Sequence, residues 1–263
     1  MQSKEPGRTH GIPYDLVLLV ITLSKMGDNS HLRRGPPPKE PTSPQSRIVV
    51  PDRFEPVDRS GRIIDPDLIE DQRNDKWRLA GCHHSDICAH CGRYDTLHLG
   101  TIIIGTDGAC RGNGTPRARA SIGVVVGTQS RYNLSELIDE GPYTNQRAEL
   151  YAAFRALDQA ATISTSDSLV DDEGEPAPLN AVIIKSDSEY LVKGMTEWVR
   201  KWEDNGYLTA KGKPVGNADL FQQLVGMVQF LAAEGVEVLF WHVPRKFNEE
   251  ADELANRALD DSL

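Results

Sequence analysis

The chain has 263 residues, of which 39% are hydrophobic, and a formal net charge of −10 at pH 7. This length allows one or two domains with a substantial core. Four cysteines in a chain of this length do not make a disulfide framework, and no run reaches the roughly 20 apolar residues of a membrane span. We therefore expect a protein of a reducing compartment, nuclear or cytoplasmic, without a membrane part.

Residues 1–62 are predicted to be a disordered or loosely ordered segment. The apolar stretch at residues 16–23 is as apolar as the centre of a signal peptide, but only two basic residues precede it and no small-residue cleavage site follows it. A buried or tethered segment is the preferred interpretation. Residues 24–62 are rich in Pro, Arg and Ser, which is typical of a flexible or polyproline-like linker.

Residues 63–97 form a polar lead-in with a Cys/His cluster. Cys88 and Cys91 make a C-x₂-C pair, and Cys82 with His84 would complete a Cys₃His zinc knuckle. The spacing is not that of a standard finger. One structural Zn²⁺ is therefore one hypothesis, and an ordered strap with free thiols is the other.

From residue 98 onward the hydrophobic pattern becomes periodic and predicts a single domain to residue 263. β-Branched runs predict strands at residues 101–106, 121–127 and 131–138, followed by a helix over 145–161. Residues 162–180 are acidic and aperiodic, so they are predicted to be an inserted loop.

The remaining elements alternate between helix and strand. They are a strand at 181–186, helices at 189–203 and 218–234, a strand at 236–243 and a C-terminal helix. Asn248 is a good candidate for the N-cap of that last helix.

Four acidic residues lie at predicted strand ends or helix starts, each in its own short motif. They are Asp107 in TDGAC, Glu149 in TNQRAEL, Asp187 in SDSEYLV and Asp252 in NEEADELAN. Any one of them alone would be an ordinary capping or solvated acid. Four carboxylates in such places suit hard, oxygen-binding cations and predict a two-metal site.

These motifs, in this order over residues from about 99 to about 259, resemble the type 1 ribonuclease H family. The resemblance implies an α/β, ribonuclease H-like fold: a five-stranded mixed sheet flanked by helices, here with an irregular N-terminal extension. It implies a hydrolase, an endonuclease that cuts the RNA strand of RNA–DNA hybrids and leaves 5′-phosphomonoesters. Two Mg²⁺ ions, for which Mn²⁺ can substitute, would be bridged by Asp107, with Glu149 and Asp187 on one ion and Asp252 on the other.

The stretch before the last helix departs from the commonest family pattern. Residues 243–248 are too few for the mobile loop that carries a catalytic histidine, and His242, within the strand, is predicted to be a packed residue. The pattern resembles a short-loop subgroup in which an arginine takes that place, and Arg245 has the required spacing to Asp252. Because arginine stays protonated, its predicted role is electrostatic assistance.

Further positions match the family's substrate contacts. For the RNA strand and the neighbouring pocket they are Gly108, Asn113, Thr144, Asn145 and Gln146, and for the DNA strand Trp198, Trp202, Tyr207, Thr209 and Asn217. Capping is an equal alternative for Asn145. Core packing is the alternative for the two tryptophans. Pro142 stands where the family has a phosphate-pocket arginine.

The charge is unevenly distributed. Residues 1–97 carry 14 Lys+Arg and 14 Asp+Glu, which leaves 15 and 25 for residues 98–263. Phosphate binding normally relies on basic residues, so bound metal would have to supply much of the positive charge. We expect a monomer with modest affinity for the hybrid.

Two other functions were weighed against the nuclease. One is a non-catalytic module that binds hybrids or double-stranded nucleic acid, and the other is a retroelement-derived ribonuclease H domain. A binding module gains nothing from four clustered like charges, and no polymerase or integrase segment is present in the sequence.

Overall fold

A computed structural model describes residues 48–72, 75–86, 94, 96–167, 169–170 and 176–262. The stretch at 16–23, most of the Pro-rich segment, Cys88, Cys91 and residues 171–175 of the insertion lie outside these ranges. Within the described residues no helix combines the length and the apolarity needed to cross a membrane.

The molecule is built on one mixed sheet of eight strands. In chain order these are β1 (Asp52–Arg53), β2 (Glu70–Asp71), β3 (Leu79–Gly81), β4 (Leu97–Arg111), β5 (Arg119–Val125), β6 (Leu134–Leu137), β9 (Ala181–Ser186) and β10 (Glu237–His242). A separate two-stranded hairpin comprises β7 (Leu169–Val170) and β8 (Pro176–Ala177). The five strands expected from the sequence form a continuous run in the order β10-β9-β4-β5-β6.

The long strand β4 organises this sheet. It runs parallel to β9, which in turn runs parallel to β10, so these strands end at the same edge. On its other side β4 pairs antiparallel with β3 through its first half and with β5 through its second half. Leu79, at the start of β3, pairs with Ile102, and the β4–β5 ladder begins three residues further along β4, at Gly105.

Both faces of the central strands are apolar, and each face is covered. Ile102 and Ile104 pack on one side with the helices, whereas Ile103 points to the other side with Ile183 and Trp241. This is the two-residue alternation of a strand that is buried on both faces. The second face is covered by residues of the N-terminal segment, Ile64, Ile69 and Ala80.

This cover differs from the sequence expectation. Residues 48–81, assigned to a linker and a lead-in, instead contribute β1, β2 and β3 and the short helix α1 (Pro66–Ile69) to the same sheet. β1 runs parallel to β10 at one edge, and Trp77, 1% exposed, stacks on Tyr132 with ring centroids 5.6 Å apart. Residues 48–81 are mostly polar, and it is their few apolar side chains that pack into the core.

The main helices are α2 (Asn145–Ser166), α3 (Glu189–Lys193), α4 (Val199–Asn205), α5 (Ala218–Ala233) and α6 (Glu249–Asp260). The helix predicted over 189–203 is divided, because a π-helical turn at Gly194–Trp198 joins α3 to α4. A Cβ on Gly194 would lie 2.3 Å from the ring of Phe221, so α5 approaches this turn too closely for any other residue.

The acidic insertion is partly ordered. Its first residues extend α2 by more than one turn beyond the predicted end at Ala161, and β7 pairs with β8. Leu169, 2% exposed, joins the main core, and Asp167 accepts hydrogen bonds from Arg131 and Tyr132. The described part of residues 162–180 is therefore anchored, which the sequence analysis did not predict.

Candidate metal centre

Three carboxylates converge where β4 and β9 run side by side. Gly105 pairs with Lys185 in the parallel register, so Asp107 and Asp187, each two residues further on, reach the same level of the sheet. Glu149 comes from the first turns of α2. One carboxylate oxygen of each of the three residues lies within 4.8 Å of those of the other two. Among the described residues this is the only group of acids, histidines and cysteines with such spacing.

Gly108 permits this convergence. A Cβ at this position would lie 2.2 Å from the carbonyl carbon of Ala148 and 2.3 Å from the nitrogen of Glu149. The start of α2 therefore rests directly on the backbone of β4, and only glycine allows this approach. The backbone of Gly108 also hydrogen-bonds the carboxyl group of Glu149.

The electrostatics of the centre favour a bound cation. Burial raises the pKa of Asp107 to about 8, the charges of Asp187 and Asp252 add to the rise, and Arg245 opposes it. Burial raises the pKa of Glu149 as well, followed by the charges of Asp107 and Asp187. A site that holds protons this strongly is one in which a cation can replace them.

The ligand chemistry fits a hard divalent metal. All donors are carboxylate oxygens, which Mg²⁺ and Mn²⁺ accept. Glu149 Oε2 is buried and has no hydrogen-bond partner among the described residues. Buried polar atoms are rarely left unpaired, so an ion ligated by this oxygen would account for it.

The fourth predicted acid, Asp252, also reaches the group. It lies in the first turn of α6, and its side chain is hydrogen-bonded to Asp107. Arg245, in a 3₁₀ turn at Arg245–Phe247, donates from Nη2 to Asp252 Oδ1, and its own side chain is 72% exposed. The structure thus brings together all five residues predicted to be catalytic, while their catalytic roles stay predictions.

Asn248 lies at the predicted N-cap position and makes a further contact that the sequence analysis did not predict. It occupies the N-cap position of α6, but its side chain makes no capping hydrogen bond. Instead Nδ2 donates to Thr106 O at 2.9 Å and lies 3.5 Å from Asp187 Oδ1. The amide nitrogen therefore contacts the residues of the metal centre. The position of Asn248 between the last strand and the last helix is the one sequence signal for this role.

The residues predicted to meet the RNA strand lie in different local settings. Thr144 is the N-cap of α2, since its Oγ1 accepts from the nitrogen of Arg147 at 3.2 Å. The alternative that Asn145 is the cap is therefore wrong, and Asn145, like Gln146 and Asn113, is exposed. Exposed amides remain free to contact a ligand.

The residues predicted to contact the DNA strand differ in burial: some are accessible at the surface and others are packed in the core. Trp198 and Trp202 lie on one face with ring centroids 5.6 Å apart, and Trp202 packs against Phe221 at 5.0 Å. Tyr207 is 5% exposed and its hydroxyl donates to Glu203 Oε1 at 2.8 Å, so its predicted surface contact is not available. Its backbone, at φ 60°, is in the left-handed region.

Two further members of this group lie beyond Tyr207. Thr209 is exposed, and its Oγ1 accepts from the nitrogen of Lys213 at 3.2 Å. Asn217 is half-buried, and its Nδ2 donates to the hydroxyl of Tyr190 at 3.2 Å. Of the two, Thr209 is the more accessible to a ligand.

Only half of the predicted zinc knuckle is described. Cys82 carries a free thiol and is half-buried, and the rings of His83 and His84 lie 4.1 Å apart. These residues do not form a metal-ligand group within the described part of the chain. Because Cys88 and Cys91 lie outside it, the zinc site stays a prediction.

Comparison with known proteins gives the same assignment over the same residues. A family model described as RNase H matches residues 100–260. Human ribonuclease H1 is 35% identical over 158 residues, which is 59% of this chain and 48% of that protein. Ribonuclease H of Methylococcus capsulatus is 38% identical over 170 residues, 62% of this chain and 92% of that protein. The chain thus spans about half the length of the mammalian relatives.

Solved structures of the same kind were also found. RNase H1 from Halobacterium salinarum is 29% identical with a TM-score of 0.38, covering 61% of this chain and 98% of that one. LC11-RNase H1 in complex with an RNA/DNA hybrid is 28% identical with a TM-score of 0.40, covering 61% of this chain and 97% of that one.

Proposed function

We propose, because this chain belongs to the type 1 RNase H family, that it is an endonuclease that hydrolyses the RNA strand of RNA–DNA hybrids. The observation that carries the proposal is the group of Asp107, which is buried, and Glu149 and Asp187, which are half-buried; one oxygen of each lies within 4.8 Å of those of the other two. A family member that only bound nucleic acid would have no use for this repulsive arrangement. Asp252, hydrogen-bonded to Asp107, completes the set.

The carboxylates would hold two Mg²⁺ ions, or Mn²⁺ in their place. Bound there, the ions would make the attacking water more acidic and neutralise the leaving oxygen. Asp107 would be the shared ligand, since its carboxyl group interacts with Asp187 and Asp252 and also with Glu149. Asn248 would hold Asp187 in orientation through its amide.

Arg245 would act on charge. Its guanidinium already lies on Asp252 and is largely exposed to solvent, so it can turn from the carboxylate to a phosphate oxygen. A guanidinium is always protonated and offers several donors in one plane. Arg245 therefore stabilises negative charge and does not transfer the proton.

Selection of a hybrid would use separate surfaces for the two strands. A 2′-hydroxyl is read by short polar groups, and the exposed side chains of Asn113, Asn145 and Gln146 supply them. Trp198, half-buried beside Trp202, offers an aromatic face to the DNA sugars. Since residues 98–263 carry 25 acidic and 15 basic residues, bound metal would contribute to the affinity for either strand.

We also propose that the chain works in a reducing compartment, the nucleus or the cytosol. Cys82 and Cys110, the two cysteines among the described residues, carry free thiols. Free thiols persist where glutathione and thioredoxin keep cysteine reduced.

The test compares a labelled RNA–DNA hybrid with duplex DNA and duplex RNA, in Mg²⁺ and in chelator. We expect metal-dependent cleavage of the RNA strand in the hybrid alone, and loss of cleavage in Asp187→Asn. Asp261→Asn is the matched control, because Asp261 is exposed at the end of α6. Cleavage of all three duplexes, or cleavage that survives Asp187→Asn, would overturn the proposal.

A further inference from the structure

Four charged side chains form a cluster beneath the metal centre, which we call the ion cluster: Glu70, Arg78, Lys185 and Glu250. Lys185 Nζ donates to Glu70 Oε1 at 2.5 Å, and Arg78 Nη1 lies 3.2 Å from Glu70 Oε2. Arg78 Nη2 also donates to Glu250 Oε2. The side chains of Glu70, Arg78 and Lys185 are at most 4% exposed. Two of the four residues, Glu70 and Arg78, precede the stretch that matches the RNase H model.

The ion cluster holds the start of α6 at two points. Lys185 Nζ donates to the main-chain oxygen of Phe247 at 2.8 Å, directly before Asn248. Arg78 binds Glu250, which lies in the first turn of α6, two residues before Asp252. Both contacts therefore act on the segment that carries Asn248 and Asp252 to the metal centre.

Arg78 is itself held in a fixed place. Its nitrogen donates to Val126 O and its oxygen accepts from the nitrogen of Ile103, both at 2.8 Å. The backbone of Arg78 thus lies between β4 and the residue that follows β5. Its guanidinium extends from the sheet toward α6 and serves as a rigid support.

Stability alone does not account for this arrangement. Removing charges from water is costly, and well-packed apolar residues in their place are often as stable or more so. What paired charges add is geometry, because each contact is made at one distance and one direction. The cluster also adjoins a cavity of about 160 Å³ lined by Lys185, Asn248 and Glu250, so the first turn of α6 is not closely packed on that side.

We propose that Glu70 and Arg78 are positioning residues of the metal centre. Through Lys185 and Glu250 they set the place of the first turn of α6, and so the distance of Asp252 from Asp107 and Asp187. The N-terminal segment is then a working part of the nuclease, although it lies outside the family match. The part of the inference that is tested by cleavage rests on the proposed function. The part that is tested by metal binding does not depend on the proposed function.

The experiment compares Arg78→Met, Arg78→Lys and Glu250→Gln in the full chain. Mn²⁺ and Mg²⁺ affinity is measured by titration calorimetry, and the half-saturating Mg²⁺ concentration and the KM for hybrid are measured by cleavage. Arg78→Met should weaken metal binding roughly tenfold, the range seen when residues that orient metal ligands are lost. The KM for hybrid at saturating Mg²⁺ should stay unchanged.

The other variants sharpen the result. Arg78→Lys should recover part of the affinity, because lysine keeps the charge but cannot bridge Glu70 and Glu250 in one plane. Glu250→Gln should weaken metal binding severalfold. Glu249→Gln is its matched control, with the same loss of charge in the same turn of α6, and it should bind metal as the wild type does, because Glu249 has no ion pair or hydrogen bond among the described residues.

Three outcomes would overturn the inference. One is wild-type metal affinity in Arg78→Met and Glu250→Gln. The second is an equal loss of affinity in Glu249→Gln, which would show a general effect of charge. The third is a lowered melting temperature as the sole change. If Arg78→Met does not fold, Glu250→Gln decides, since its side chain is 53% exposed. If the wild type binds metal but does not cleave hybrid, the proposed function fails and the calorimetry still tests the positioning.

Discussion

Asn248 donates a hydrogen bond to the main-chain oxygen of Thr106, 2.9 Å away, and so ties the residue before α6 to the residue before Asp107. The asparagine is 3% exposed, and its Nδ2 also lies 3.5 Å from Asp187 Oδ1. One amide thus connects β4, the end of β9 and the start of α6. These are three of the four elements that supply the carboxylates.

Replacing Asn248 by alanine should therefore affect both the fold and the metal centre. Loss of a buried hydrogen bond costs about 1–3 kcal/mol when a partner is left unsatisfied, here the oxygen of Thr106. Urea unfolding should show this decrease, and calorimetry should show weaker Mg²⁺ binding. Asn205→Ala, which removes an exposed side-chain contact with Leu208, is the control. Unchanged metal affinity in Asn248→Ala would contradict the role assigned to the amide.

Gly108→Ala should displace Glu149. The added Cβ would lie 2.2 Å from the backbone of α2, and a helix backbone cannot yield without moving its first turn. We expect a loss of metal affinity of at least tenfold, measured by titration calorimetry. Gly216→Ala is the control, because nothing lies within 4 Å of the Cβ that it would add. Metal affinity equal to that of the control would show that α2 does not need this approach.

The central strands and the acidic set could be predicted from sequence because the information is local. The β-branched run before Asp107 and the matching run before Asp187 give two parallel strands, and their register then places both acids at one level. The start of α2 at Asn145 also follows from a short motif, although the capping side chain is that of Thr144 and not that of Asn145. Each of these rests on residues within a few positions of one another.

The rest depends on contacts between distant residues. β1, β2 and β3 have two or three residues each, too few for a periodic pattern, and β1 pairs with β10, far along the chain. Asn248 is at the predicted N-cap position, but its hydrogen bond through Nδ2 to Thr106 O joins residues far apart in the chain and has no local signal. Tyr207 matches a substrate-contacting position in the family motif, but in the structure its side chain is buried and its backbone is in the left-handed region.

The metal-free protein should lose stability as the pH rises from about 4 to about 8. The pKa of Asp107 is about 8 in the folded protein, whereas an unfolded aspartate has a pKa of about 3.9. Between these values the folded state keeps a proton that the unfolded state has released, so the free energy of unfolding falls with increasing pH. Melting temperatures measured in chelator across this range should show the fall.

Saturating Mg²⁺ should reduce that fall, because a cation takes over the role of the proton. Asp107→Asn should flatten it in chelator and leave the part due to Glu149, whose pKa is also raised by burial. Asp261→Asn should keep the wild-type slope, since its side chain is exposed. An identical slope in Asp107→Asn would show that Asp107 does not hold the proton.

Substituting Trp202 should mainly lower stability, whereas substituting Trp198 should mainly weaken hybrid binding. Trp202 packs against Phe221 and the main core, so Trp202→Ala should lower the free energy of unfolding by about 3 kcal/mol. Trp198 contacts Tyr190 at a ring distance of 6.0 Å and is half-buried, so Trp198→Ala should cost less stability. It should instead raise the KM for hybrid about fivefold, since an aromatic contact with nucleic acid contributes about 1 kcal/mol or more. Equal KM values in wild type and Trp198→Ala would show that Trp198 does not contribute to hybrid binding.

Arg245→Ala should lower kcat while leaving the KM for hybrid near the wild-type value. A hydrogen bond to a charged group contributes about 1.5–3 kcal/mol, so a decrease of roughly tenfold to a hundredfold is expected. Arg245→Lys should keep part of the turnover, because a point charge remains near Asp252. Lys246→Ala is the control, since Lys246 is an exposed neighbour whose Nζ lies over the Phe247 ring at 4.3 Å.

The same substitution gives a second readout that needs no substrate. Arg245 opposes the rise in the pKa of Asp107, so its removal should raise that pKa further and increase the repulsion among the carboxylates above pH 8. In chelator, Arg245→Ala should therefore melt at a lower temperature than the wild type at pH 8 and at nearly the same temperature at pH 4, where the carboxyl of Asp107 is protonated in the folded state. Full turnover in Arg245→Ala together with an unchanged melting temperature at pH 8 would remove Arg245 from the site, because the first effect needs its guanidinium near the phosphate and the second needs its charge near Asp107.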